Sequence, residues 1–382
     1  MNIKLIELKT GEKILKKKVL LVSCEGLGNG GVQAVLMSIV RNLSYKYIFD
    51  IVLFTDVKGY YEEEFKSYGG SVIRIPFYRG RNQIFRKIDY LQREKHIYKG
   101  MLECIDEFGP YCAIHCNNYF ESAPCLQAAK EKNIPVRIAH VHAVIQSVNC
   151  VVDYYRKKYL KKILKYATHK IGCSKVACDS FFGKNIEAEI ILNPYNDKRF
   201  TLTNYKSLKS KNLTITQIGT FCANKNQIFS IRIMKHILKK IPNAQLNLVG
   251  SDSVGYKSKM EKEIKRLQLE SAIKIYSHDA DTPKLLSQSH IALMPSLFEG
   301  FGIVVIEAQA MGVHCFASDS LPTLTNAGGC TYLPLSSGEE LWANEIINWY
   351  QKNKYKPQLY DCSKFTEEAI IVKYNQMYEN KN

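Results

Sequence analysis

The feature that most limits what this chain can fold into is a repeated alternation. Short apolar runs bounded by turn residues are separated by stretches of helical periodicity along nearly the whole sequence. VLLVSC, DIVLFT, SVIRIP, YCAIHC, VRIAH, HKIGC and EIILN occur in the first half, and LTITQIG, QLNLVG, IKIYS, IALMP and HCFAS in the second. Strands that alternate with helices need crossover connections, so parallel sheets covered by helices are expected. The periodicity lapses from Asn193 onward, where NPYNDKRFTLTNYKSLKSKN is polar and reads as a linker. With 382 residues and 46% hydrophobic content, the chain has enough apolar material for two cores. The expectation is α/β: two Rossmann-like domains, residues 1–196 and 197–364, with parallel sheets facing a central cleft where strand ends bind ligands.

Chemistry concentrates in SLFEGFGIVVIEAQAMG, Ser296 to Gly312. The apolar IALMP runs into a Gly-Phe-Gly turn, so the N–H groups near Gly302 and Ile303 should lie at a helix N-terminus, where a phosphate is favoured. Glu299 in the loop and Glu307 about a turn and a half into the helix can accept hydrogen bonds from hydroxyls. An anion site beside polyol acceptors describes a nucleotide-sugar. An ordinary helix start with acidic residues is the competing reading. Gly300, Gly302 and Gly312 weigh against it, because close backbone approach has no purpose there.

Other segments supply further candidates. Gly26-Leu-Gly28-Asn-Gly30-Gly31 follows a strand, opens a helix and satisfies G-x-G-x-x-G, with Asp56 ending the next strand. That fingerprint alone does not choose among nucleotide ligands, so an NAD-dependent oxidoreductase stays open as an alternative, as does a plain tight turn. Lys225, in GTFCANKNQ, falls between a strand and a helix, and a diphosphate is its natural partner. Gly250, ending QLNLVG, is expected beside the nucleotide. His140 and His142 end VRIAHVHA, and alternation is expected to place them on opposite faces, so that only one reaches the cleft. Asp279 and Asp281 in HDADTPKLL read as a helix cap rather than a metal pair. Cys112, His115 and Cys116 lack a second ligand pair and read as core rather than zinc. The twelve cysteines include no Cys-x-x-Cys pair and read as reduced thiols.

EGFGIVVIEAQAMG closely resembles the glutamate, seven residues, glutamate signature of family 4 retaining glycosyltransferases, which have the GT-B fold. GLGNGGVQAVLMSIVRNL, RIAHVHA, IGCSKVACDSFFG, ILNPYNDKRF and the stretch QIGTFCANKNQ through QLNLVG resemble further segments of that family in its order, so the likeness covers nearly the whole chain. IEAQAMG and LPLSSGEELWANEIINW are similar to bacterial enzymes that build capsule and exopolysaccharide repeat units. The resemblance implies a retaining, metal-independent hexosyl transfer from a nucleotide-diphosphate-sugar, such as a UDP-sugar, to a glycan or lipid-linked saccharide. The donor is a substrate, and no cofactor is implied. Glu299 would lie by the donor sugar with His140, His142 being the reserve, while Glu307 would hold the ribose and Lys225 the diphosphate. Gly30, Gly31, Thr220, Gly250, Gly300, Phe301, Gly302 and Ile303 would line the donor site. A helix within residues 365–382 would cross back to the first domain. One departure is Thr220, which stands where the family has an arginine. Lys225 would then carry the diphosphate charge alone, or Lys175 would substitute. A nucleotide-sugar epimerase of the same architecture and a non-enzymatic sugar-binding protein are the competing classes.

The chain carries 53 Lys and Arg against 36 Asp and Glu, a formal net charge of +17. Basic residues concentrate in KILKKK from Lys13, RGRNQIFRK from Arg79 and YRKKYLKKILKYATHK from Tyr155 to Lys170. The last mixes Lys with Tyr, Leu and Ile at helical spacing, as an amphipathic helix on an anionic bilayer would. A solvated basic face is the alternative. No nucleic-acid motif accompanies the charge. No run of eighteen apolar residues and no apolar leader is found, so a cytoplasmic protein, peripheral at the inner face of the plasma membrane, is expected.

Overall fold

The computed structural model describes residues 16–24, 26–76, 83–145, 150–204, 212–252, 255–354 and 358–379, and the side chains of 83–91, 150–152, 155 and 204 lie outside that set. Two compact units comprise Met1–Asn193 with Glu367–Asn382, and Pro194–Thr366.

In the first unit, β1 (Lys17–Ser23), β2 (Tyr47–Leu53), β3 (Val72–Arg74), β4 (Ala113–Cys116), β5 (Val136–Val141), β6 (His169–Gly172) and β7 (Glu189–Ile190) form one sheet. Its order is β3-β2-β1-β4-β5-β6-β7, and every pairing is parallel. Between the strands run α1 (Gly31–Leu43), α2 (Glu62–Ser67), α3 (Gln83–Phe108), α4 (Ser122–Glu131), α5 (Cys150–Tyr166) and α6 (Lys175–Phe181). The continuous apolar run Val19–Val22 is buried on both faces, as a strand inside a helix-covered parallel sheet must be. In α1, Val35, Leu36, Ile39, Val40 and Leu43 recur at helical spacing, and all are buried.

In the second unit, β8 (Thr214–Ile218), β9 (Gln245–Val249), β10 (Ile273–Tyr276), β11 (Ile291–Met294), β12 (His314–Ser318) and β13 (Cys330–Leu333) form a second parallel sheet in the order β10-β9-β8-β11-β12-β13. Its helices are α7 (Gln227–Leu238), α8 (Tyr256–Arg266), α9 (Thr282–Ser287), α10 (Ile303–Ala310) and α11 (Gly338–Asn353). Phe229 of α7 stands edge-on to Trp342 of α11, with ring centroids 5.4 Å apart, at the centre of this core. The last helix, α12 (Glu367–Tyr378), belongs to the first unit, where Ile370, Ile371, Tyr374, Met377 and Tyr378 join the core.

Two expectations need correction. Strand β13 has no counterpart among the expected runs, because it is four half-buried residues at a sheet edge with no continuous apolar signal. The apolar side of α5 is not available to a bilayer: Tyr159 and Ile163 are buried, and Tyr159 stacks on Phe120 at 5.7 Å. Lys158 and Lys162 both pair with Glu94 of α3, which leaves Lys157, Lys161 and Lys165 exposed on the helix with Tyr154. Arg79, and the side chains of Arg86 and Lys87, lie outside the described residues.

Candidate functional site

In the second sheet the strand order reverses direction between β8 and β11. Their C-terminal loops therefore diverge to opposite sides and leave a crevice, the usual ligand position in a doubly wound sheet. The loop after β8 runs through Gly219 and Lys225 to the start of α7, and the loop after β11 runs from Ser296 to Gly302. Asn224 ties them together. Its carbonyl accepts from Leu297 N at 2.8 Å, its Oδ1 from Phe298 N at 3.2 Å, and its Nδ2 donates to Phe298 O at 3.1 Å. Beside this tie, Lys225 Nζ donates to Glu299 Oε1 in a salt bridge, with the two side chains 24% and 11% exposed. The lysine and glutamate expected at the site are thus together, but each is the other's partner.

Glycines here answer to backbone proximity. A Cβ on Gly250 would stand 2.1 Å from the Gly219 carbonyl oxygen, so no other residue fits without moving the backbone. The Thr220 side chain is exposed and its carbonyl accepts from Gln227 Nε2 at 3.0 Å. Lys175, the alternative cation, belongs to the first unit, where its ammonium pairs with Asp179 one turn along α6, at 3.1 Å.

Gly302 caps α10 with φ +88°, a left-handed conformation that glycine adopts without strain. The N–H groups of Ile303 and Val304 begin the helix without intrahelical acceptors. Gly300 is buried beside them. Phe301 does not face a ligand: it is 3% exposed and packs edge-on to Phe365 at 6.3 Å. Glu307, the fifth residue of α10, is half-buried, and burial pushes its carboxyl up to about 7 while the Arg199 charge opposes the shift. Among the described residues its carboxylate takes no hydrogen bond. On the far side of α10, buried Gln309 donates to Val305 O and Thr325 O, both at 2.9 Å, and accepts from Ala327 N at 2.7 Å and Gly329 N at 2.9 Å.

Three residues here carry no sequence signal strong enough to single them out. Asn224 and Gln309 act through loops that approach only in the fold, and Arg199 sits in the polar stretch read as a linker. The aspartates behave as expected of a cap: Asp281 Oδ1 accepts from Lys284 N at 3.1 Å at the start of α9, and Asp279 bonds the Ser277 hydroxyl. No group of three or more His, Cys, Asp or Glu able to hold a metal occurs among the described residues.

In the first unit the glycine loop after β1 lies at the corresponding reversal, between β1 and β4. Gly30 caps α1 without a side-chain bond, and both Gly30 and Gly31 are exposed. The histidine expectation is overturned. Residues two apart on a strand share a face, and the His140 and His142 rings lie 3.7 Å apart. His140 is 1% exposed, and its Nδ1 meets His115 Nε2 at 3.0 Å, while His115 Nδ1 meets the Tyr378 hydroxyl of α12 at 2.7 Å. His140 therefore sits in a buried stack with no open face. Burial holds His115 and His142 down to about 3 and lowers His140 in the same direction, so all three are neutral near pH 7.

A protein of two Rossmann-like units with a cation and carboxylates at the reversal point of the second sheet has the architecture of GT-B glycosyltransferases. Over 95% of this chain and 98% of the other, the fold matches a crystal structure of Anabaena Alr3699/HepE in complex with UDP-glucose, at TM-score 0.74 and 17% identity. Residues 200–327, within the second unit, match the family model of glycosyl transferases group 1. Along 348 residues, 87% of each chain, the protein is 25% identical to a putative glycosyltransferase EpsF of Bacillus subtilis (strain 168). It is also 25% identical, over 114 residues and 29% of each chain, to the UDP-Gal:alpha-D-GlcNAc-diphosphoundecaprenol alpha-1,3-galactosyltransferase of Escherichia coli. The fold is that of the GT-B glycosyltransferase structures, and the sequence matches are to glycosyltransferases.

Proposed function

We propose that the protein transfers a hexose from a nucleoside-diphosphate sugar, a UDP-sugar, to a hydroxyl of a lipid-linked glycan during synthesis of a cell-surface polysaccharide, with retention at the anomeric carbon. The observation that carries the reading is the constellation on the second unit: Lys225 and Glu299 across the β8–β11 reversal, the α10 N-terminus at Gly302, and a half-buried Glu307 carboxyl that takes no hydrogen bond among the described residues. A diphosphate suits the helix start and the ammonium, and ribose hydroxyls suit Glu307. Neutralising the leaving diphosphate is the main contribution to rate in this scheme. UDP-glucose in the Anabaena complex and the diphosphoundecaprenol-linked acceptor named for the E. coli enzyme support the donor and acceptor classes. A peripheral position at the inner face of the plasma membrane fits a lipid-linked acceptor and the exposed Lys157, Lys161 and Lys165 of α5.

The helix N-terminus and Lys225 offset the diphosphate charge without a divalent ion, so turnover is expected to persist in excess chelator. An assay with UDP-sugars and lipid-linked acceptors, the product read by NMR, tests this. Retained configuration and chelator-resistant turnover are expected. An inverted product, turnover restored only by manganese, or an altered sugar released without transfer would contradict it.

A further inference from the structure

The site holds more internal order than a loose lysine and glutamate would need. Lys225 and Glu299 are 74 residues apart in sequence and lie on different loops, and neither loop alone fixes their separation. Asn224, adjacent to Lys225, engages both backbone atoms of Phe298, adjacent to Glu299, while its own carbonyl takes the Leu297 N–H. A side-chain amide can accept from the N–H and donate to the C=O of one residue at once. From the other side, Gln217 Nε2 donates to the Lys225 carbonyl at 2.6 Å, so the short turn Ala223–Lys225 is held at both ends. The methylenes of Lys225 lie 3.5 Å from the position a Cβ would take on Gly219, so the side chain runs along that glycine toward the carboxylate.

We infer that Asn224 is a positioning residue that presents Glu299 to Lys225 as a resident counter-ion, which an incoming diphosphate must displace. The inference rests on the donor-site reading above and adds a consequence to it. In the ligand-free protein the ammonium is already neutralised by a carboxylate that is 11% exposed. Binding of the diphosphate transfers the ammonium from Glu299 to phosphate oxygens and frees Glu299 to accept from sugar hydroxyls. The exchange makes binding of the leaving group and release of the sugar-facing carboxylate one event. A nucleoside diphosphate without sugar frees Glu299 but offers it no hydroxyl, so the spent product is held less well than the donor.

Calorimetric titration with uridine, guanosine, adenosine and thymidine diphosphates, with the matching nucleoside as the uncharged control, tests this. Glu299→Gln keeps the shape and removes the competing charge, so the diphosphate that binds the unaltered chain should bind about fivefold tighter, while the nucleoside is unaffected. Asn224→Ala should shift diphosphate affinity in the unaltered background and have no further effect in the Glu299→Gln background, because its influence passes through that carboxylate. Asn224→Leu, which keeps the bulk and loses both donor and acceptor without adding charge, serves as the second variant, and its effect should also vanish with Glu299→Gln. Equal effects of Asn224 substitution in both backgrounds, or no gain from Glu299→Gln, would overturn the inference while leaving the donor site standing. Failure of the unaltered chain to bind any of the four diphosphates would overturn both.

Discussion

Glu307 is the residue whose ionisation reports most directly on the site. Its carboxyl is raised to about 7 by burial. Between about pH 4.5, where an unfolded glutamate loses its proton, and pH 7, the folded chain holds the proton while the unfolded chain does not. The stability this provides is complete at acid pH and is lost as pH rises through 7. Glu307→Gln should therefore match the parent near pH 4 and exceed its stability near pH 8 by on the order of 2 kcal/mol, measured by urea unfolding. A difference that does not change with pH would mean that Glu307 is solvated. For a ligand whose hydroxyls donate to the carboxylate, affinity should rise with pH through the same range.

At the scale of elements, the apolar runs in β1 and β11 were legible because a strand buried on both faces is mostly apolar, and β2 and β8 remained readable despite buried Asp50, Thr214, Thr216 and Gln217. The α10 start was legible for a similar reason, since the glycines and the two glutamates lie within one short segment. What escaped depended on distant partners. The Lys225–Glu299 pair and Asn224 require two loops to meet at the sheet reversal, and β13 is ordered by pairing with β12 rather than by its own sequence. The two histidines were misplaced because their i, i+2 spacing puts them on one face, and the interior claims His140. Sheet stability rests on similar long-range satisfaction. Asp50 of β2, 1% exposed, receives Lys18 Nζ at 2.7 Å, the Tyr111 hydroxyl at 2.9 Å and Ser71 N at 2.8 Å. Asp50→Ala strands the Tyr111 hydroxyl and the Ser71 N–H and leaves Lys18 with the Phe108 carbonyl, and a loss of about 3 kcal/mol is expected by chemical denaturation. A loss below about 1 kcal/mol would show that water replaces the carboxylate.

For the molecule as a whole, the excess of positive charge has a testable placement. Lys157, Lys161 and Lys165 remain exposed on α5, whereas Lys158 and Lys162 are matched by Glu94. Changing the first three to Gln should weaken binding to liposomes containing anionic lipid, as should raising salt through the physiological range, and changing Lys162 should have little effect. Binding insensitive to salt and to all four changes would make the stripe a solvated face. The two units each carry a parallel sheet with a reversal point, but the acidic and cationic groups suited to a sugar nucleotide gather in the second. Calorimetric titration of nucleoside diphosphates against the parent chain and Glu307→Ala probes that assignment most directly. The parent should bind at least one diphosphate, and the variant should lose about 1–3 kcal/mol of that binding through an unpaired ribose. Equal affinity in the two chains would remove Glu307 from the site and contradict the placement of the donor.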